Sequence, residues 1–318
     1  STSHIYGKIQ LAEVNMTAKN KKIECGSTVA IVNVAAPEPA EFPDRISEGI
    51  RKLENIGLRV VQARHLMESR GLFSASPESI AQEINELWSR DDVDAIICAG
   101  GGIAANALLP YLDYDLFRKN PKALIGASNP TILLNAVAKR SGITTYHGPS
   151  VIWDFGDRDQ PQFTIDNFVN FFLRERSDLG EVPEFLVEGE AHGRSFGGNL
   201  SSLLLLAGTE YFPHHDGGIL IWEDIGESAD RIYAKLVQLD EMGVLQSLCG
   251  MIVGELANCE PKAGIDCREV VLDVCSKYKY PIGWGLPFGH TPRKTVVPIG
   301  ATIALSSKSR RLSLSELD

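Results

Sequence analysis

Four apolar, β-branched runs in the first half of the chain alternate with helical stretches, and that alternation restricts the fold more than any other feature. STVAIVNVA (27–35), LRVVQA (58–63), DAIICAGGG (94–102) and KALIGAS (122–128) read as strands. Between the first two, Ile46, Ile50 and Leu53 recur at helical spacing, and Gly57 stops the helix. Between the second and third, Ser76 is expected to cap a helix with Pro77 at its first position, and Ile80, Ile84, Leu87 and Trp88 form its buried stripe. Strands alternating with amphipathic helices predict βαβ units and a parallel sheet. Ligands of such sheets gather at the carboxyl ends of the strands. The glycines at 100–102 and Ser128 both fall there.

From about Trp153 to Glu190 the pattern weakens: WDFGDRDQPQ is turn-rich, and IDNFVNFFLRE reads as a single helix. FGGNLSSLLLLAG then reads as a glycine turn into an apolar helix. GGILIWEDIGES (217–228) and GMIVGEL (250–256) follow as strands, and TVVPIGATIALSSKSRRLSL alternates in short β runs. The expected organisation is an N-terminal parallel-sheet α/β domain (23–155), an inter-domain segment (156–190) and a smaller mixed β/α C-terminal domain (191–318). Residues 1–22 are set aside as an N-terminal extension or an artificial remnant, because Met16 could be a natural start.

Composition narrows the partners. Apolar content of 44% and charged content of 23% suit a soluble globular protein. A formal charge of −10 with no basic run argues against nucleic acid or an anionic membrane. SKSRR (307–311), the densest positive cluster, reads as a hairpin turn or a solvated face. No apolar window approaches the roughly 18 residues of a membrane-spanning helix, and no secretory signal is visible. Six cysteines show no close pair of metal or redox type, so reduced thiols and a cytoplasmic location are expected.

Two features at strand ends can carry chemistry. In LIGASNPTILLNA, Ser128 stands on an abrupt strand-to-helix change. It reads either as a nucleophile raised on a turn, with helix amides nearby for an oxyanion, or as the N-cap of the helix. In AGGGIAANALL, Gly100, Gly102 and Ala105 match G-x-G-x-x-A. That fits a dinucleotide loop, although it follows the third strand rather than the first. It fits equally a loop of bare amides approaching a substrate oxyanion. A nucleophilic serine needs a base, and the base needs an orienting acceptor. His290, in GWGLPFGHTPRK, is one candidate and His147, in TYHGPS, its rival. Glu223 and Asp224 end the strand ILIWED on opposite faces, and strand phase leaves both open.

These segments in this order resemble the LD-carboxypeptidase family, which includes the microcin C immunity peptidases. The carrying stretches are GGIAANALLPYLDYDL, ALIGASNPT, TTYHGPS, GGNLSSLLLLAGT, GILIWEDIGE and GLPFGHT. The resemblance implies Ser128 as nucleophile, His290 as base and Glu223 as its partner. It also implies an oxyanion hole from the amides near Gly102 and at Asn129, no cofactor or metal, and a homodimer. Gly101, Ala104, Asn106 and Trp153 are its substrate-binding candidates. It implies a small peptide or aminoacyl-nucleotide substrate: either murein tetrapeptide, or an aminoacyl-nucleotide antibiotic whose base could stack on Trp153. The phenylalanines Phe155, Phe163, Phe168, Phe171 and Phe172 read instead as helix core.

The sequence departs from the family pattern at Ala104-Ala105, where a small polar pair is usual. It departs again at Asn129-Pro130, where Asp followed by Ile or Ala is usual. Two other classes remain as alternatives: a nucleotide-binding oxidoreductase using Gly100 to Ala105, and a catalytically silent binding module.

Overall fold

The computed structural model describes residues 19–315, so Met16 and the rest of the first eighteen residues lie outside the described residues. Within the segment set aside as an extension, Asn20 and Lys21 are tied to the fold: Asn20 Nδ2 donates to the Thr144 carbonyl and Lys21 pairs with Asp94.

Among the described residues fourteen strands form two sheets: β1 (Thr28–Val32), β2 (Arg59–Gln62), β3 (Ala95–Cys98), β4 (Ala123–Gly126), β5 (Thr145–His147), β6 (Asp178–Glu181), β7 (Glu184–Val187), β8 (Glu190–Asn199), β9 (Ile219–Glu223), β10 (Gly250–Gly254), β11 (Ile282–Leu286), β12 (Val297–Ile299), β13 (Thr302–Ser306) and β14 (Arg311–Leu314). The first sheet has the order β12-β5-β4-β3-β1-β2, parallel except for β12. The parallel βαβ arrangement read from the sequence is found, and the strand order reverses between β1 and β3, which makes the sheet doubly wound. A crevice opens at the carboxyl ends of the strands at such a reversal. The edge strand β12 comes from the far end of the chain and tolerates Pro298 because it lies at an edge. The second sheet runs β6-β14-β13-β8-β9-β10-β11-β7, parallel from β8 to β11 and antiparallel outside.

Helices form where the pattern places them. Pro43–Asn55 buries Ile46 and Leu53, and Pro77–Ser89 buries Ile80, Ile84, Leu87 and Trp88. Ser76 accepts the Ser79 amide hydrogen as the N-cap, with Pro77 next in line. The inter-domain helix is an α-helix over Gln162–Phe168 that loosens into a π-helical turn, Val169–Leu173, with Phe168 and Phe172 buried. The expected glycine turn at 197–198 is instead the end of β8, and only Leu200–Leu204 is helical after it. SKSRR makes the turn joining β13 to β14.

One apolar core runs through both halves, from Val29 and Trp88 to Trp222 and Leu239. A second cluster around Ile219, Ile221, Ile303 and Leu305 covers the other face of the second sheet. All six cysteines are free thiols, and burial pushes the Cys98 thiol up to about 12. Among the described residues no helix is long and apolar enough to cross a membrane, and no cluster of three or more His, Cys, Asp or Glu side chains is placed to hold a metal ion.

His147, the rival histidine, closes β5 fully buried. Its ring lies 4.2 Å from that of Phe288, and its Nε2 has no partner. Burial, with Lys294 and His290 facing it, holds its proton affinity well below the usual 6.5. The unfolded chain therefore binds a proton here that the folded chain refuses. This contribution to stability is full above about pH 6.5 and falls as pH drops below it. The melting temperature should fall between about pH 7 and pH 5, and His147→Gln should flatten that fall.

Candidate active site

Ser128 stands two residues beyond β4 with φ +65°, a left-handed backbone that a side chain rarely adopts. Its carbonyl accepts the Thr131 amide hydrogen at 2.9 Å, closing a tight turn into the helix Thr131–Ser141. The expected helix cap is not found. Pro130 occupies the cap position, no side chain caps the helix, and the Ser128 hydroxyl is left facing a cavity of about 550 Å³.

The helix after the turn locks this elbow to the second sheet. Thr131 Oγ1 accepts the Asn199 amide hydrogen (2.9 Å), and Asn135 bonds both the N–H and the carbonyl of Gly197 (3.0 and 2.7 Å). Asn199 lies opposite Glu223 in the β8–β9 register. A hydroxyl from the first sheet and a carboxylate from the second are thus fixed relative to each other through buried, satisfied hydrogen bonds.

Glu223 ends β9 fully buried, and its Oε2 lies 2.8 Å from Nδ1 of His290, in the loop after β11. His290 is part-exposed and lines the same cavity as Ser128. Among the described residues Ser128 and His290 make no direct hydrogen bond. In free enzymes such bonds are often long and tighten only with substrate. Asp224, on the opposite strand face, is engaged elsewhere, by Asn199, Ser201 and Lys235. The phase question left open by the sequence is answered by packing: Ile219 and Ile221 join one core cluster and Leu220 and Trp222 the other. At Gly289, φ is +115° and an added Cβ would lie 2.7 Å from Glu223 Cγ. Gly289→Ala is expected to push the His290–Glu223 pair apart, lowering hydrolysis at least about tenfold at a stability cost of about 1–2 kcal/mol. Steady-state kinetics and a thermal melt check both parts.

The glycine loop follows β3. Gly101 packs against Ser128, an added Cβ lying 3.0 Å from the hydroxyl oxygen, while Gly102 (φ +124°) passes so close to Ala36 that a Cβ would meet its nitrogen at 2.5 Å. Among the described residues the amides of Gly102 and Asn129 donate to no acceptor. The Gly101 amide does, to the Glu38 carboxylate at 2.9 Å. A carboxylate on this loop opposes a phosphate, which removes the support for the dinucleotide alternative.

Asn129 accepts the Ala105 amide hydrogen at 2.8 Å, a role open to an aspartate as well, so this departure preserves the acceptor. Ala104 takes a left-handed conformation (φ +73°). Neither it nor the exposed Asn106 lines the cavity, so the structure does not bring these two candidates to the site. Trp153 does line it. The indole is 40% exposed, donates from Nε1 to Glu38 (3.1 Å) and carries the Arg45 guanidinium 5.1 Å from its centroid.

Sequence reasoning missed Glu38 and the buried pair Asp154–Lys294, which also line the cavity. Glu38 had a usable signal: it closely follows β1, at the carboxyl end of a strand beside the order reversal. The pair had none, because its members lie 140 residues apart in the chain.

Fold and site thus define a two-part α/β protein with a serine on a strained elbow facing a histidine–carboxylate pair. The family models describe the same two parts. The LD-carboxypeptidase N-terminal domain matches residues 29–148 and the LD-carboxypeptidase C-terminal domain residues 192–305. The chain belongs to the LD-carboxypeptidase family and is a serine carboxypeptidase-type hydrolase.

Among its relatives, a probable murein peptide carboxypeptidase of Bacillus subtilis is 29% identical, covering 93% of this chain and 94% of the relative. The microcin C7 self-immunity protein MccF of Escherichia coli is 28% identical, covering 92% and 94%. Among solved structures, MccF in complex with glutamyl sulfamoyl guanosine matches with a TM-score of 0.87 at 25% identity, covering 94% of this chain and 98% of that one. Muramoyltetrapeptide carboxypeptidase from Oxalobacter formigenes matches at 0.82 and 28%, covering 91% and 98%.

Proposed function

We propose that the protein cleaves an amide bond next to a free carboxylate in murein peptides, through an acyl-enzyme formed on Ser128. His290 takes the Ser128 proton as the hydroxyl attacks the carbonyl, then gives it to the leaving amine. Water, activated by the same imidazole, resolves the ester. Glu223 holds the imidazole by Nδ1 and stabilises its charged form. The amides of Gly102 and Asn129 carry the oxyanion; loss of one such donor typically lowers the rate by roughly a hundredfold to a thousandfold.

The observation that carries this reading is the 2.8 Å His290–Glu223 pair on the cavity that also receives the Ser128 hydroxyl. A homodimer in the cytoplasm belongs to the same proposal, and light scattering of the purified protein tests the assembly. A second reading, hydrolysis of an aminoacyl nucleotide, is favoured by one feature: the exposed Trp153 indole at the cavity, held by Glu38, offers a face on which a base could stack.

The test assays murein tetrapeptide and an aminoacyl sulfamoyl adenosine side by side. Release of the terminal D-amino acid with a kcat/KM at least about tenfold above that for the nucleotide supports the peptide reading. The reverse ratio selects the second, and turnover of neither contradicts both.

A further inference from the structure

An exopeptidase must recognise the charge lying one residue beyond the bond it cuts, and the proposed triad offers nothing for it. Among the described residues lining the cavity, Lys294 is the one lysine or arginine. It lies in the same loop as His290 and is nine-tenths buried, its side chain 9% exposed and that of its partner Asp154 1%. Asp154 is itself held in place. The Ser150 amide and hydroxyl both donate to its Oδ2, at 2.7 and 3.0 Å, leaving Oδ1 to the lysine. The loop backbone is pinned as well: Thr164 Oγ1 accepts the Lys294 amide hydrogen (2.9 Å) and donates to the Pro292 carbonyl (2.7 Å).

An ammonium has three donors. One goes to Asp154, and no other acceptor among the described residues lies within hydrogen-bond distance of Nζ. Two of its N–H groups therefore have no protein acceptor among the described residues and stand at the cavity wall, where an arriving carboxylate would accept them. Asp154 does not cancel the site. It takes only one of the three ammonium donors and holds the Nζ in place at the cavity wall.

We propose that Lys294 binds the terminal carboxylate of the substrate, with Asp154 as the residue that positions it. The assignment rests on the peptidase reading above. The ammonium and the base share one short loop, so this contact sets how far the scissile bond lies from the chain end.

The test uses one peptide in two forms, ending in a free carboxylate or in a carboxamide. The intact protein should prefer the free acid by about 10- to 100-fold in kcat/KM. Lys294→Met should abolish most of that preference, mainly through KM, while Lys294→Arg should keep part of it. Equal cleavage of the two forms by the intact protein would overturn the assignment, as would an undiminished preference in folded Lys294→Met. Should Lys294→Met not fold, the double variant Asp154→Asn/Lys294→Met removes the stranded carboxylate, and the comparison on the intact protein decides by itself. Cleavage that depends on Ser128 but ignores the terminal charge removes only this assignment. Absence of any Ser128-dependent cleavage removes the peptidase reading with it.

Discussion

Ser128→Ala is expected to lower kcat by about 10⁴- to 10⁶-fold, with substrate affinity changed by no more than a few fold. The size of the loss follows from what the hydroxyl does. It forms the covalent bond, and with it gone only the oxyanion donors and binding remain, which leave a small residual rate. The fold should be indifferent to the change. The Ser128 hydroxyl takes no part in capping the helix, and the bonds that lock the elbow run from Thr131 and Asn135. Steady-state kinetics, a melting curve and calorimetric titration of the inactive variant with intact peptide separate these effects. A variant that melts like the parent and binds peptide, yet does not turn over, is the expected outcome.

Glu223→Gln should cost about 10⁴-fold in kcat with little loss of stability. The side chain is fully buried and one of its oxygens, Oε1, has no partner, so the isosteric amide fits the same space. The damage is to the proton inventory of His290. A carboxylate can only accept, and so fixes the proton on Nδ1, leaving Nε2 free to act as base; an amide that donates to Nδ1 selects the opposite tautomer. The neighbouring Asp224→Asn is the control. It weakens an ion pair with Lys235 and should affect stability more than chemistry.

The parallel βαβ pattern of the first half was legible because periodicity reports it directly. β1 to β4 fall within the four apolar runs, and both features at strand ends proved to lie on one cavity. Which member of Glu223–Asp224 faces the histidine was not legible, since alternation assigns two faces without saying which one meets the other half. The Ser128 cap failed because a serine ahead of a helix carries the same local pattern whether its backbone is extended or left-handed. Ala104 and Asn106 do not line the cavity, because a glycine loop fixes the path of only its first residues. Lys294 and Asp154 stayed hidden because their pairing depends on the loop after β11 reaching back to the end of the first sheet, a contact no local signal encodes.

A single hydroxyl, raised on the first sheet and served by the second, is expected to become acylated. Intact-mass and peptide mass spectrometry after treatment with a serine-directed fluorophosphonate tests it most directly. The account predicts one adduct per chain, on the peptide containing Ser128, absent in Ser128→Ala and strongly slowed in His290→Ala. An adduct on any other residue, or labelling that persists in Ser128→Ala, would contradict it.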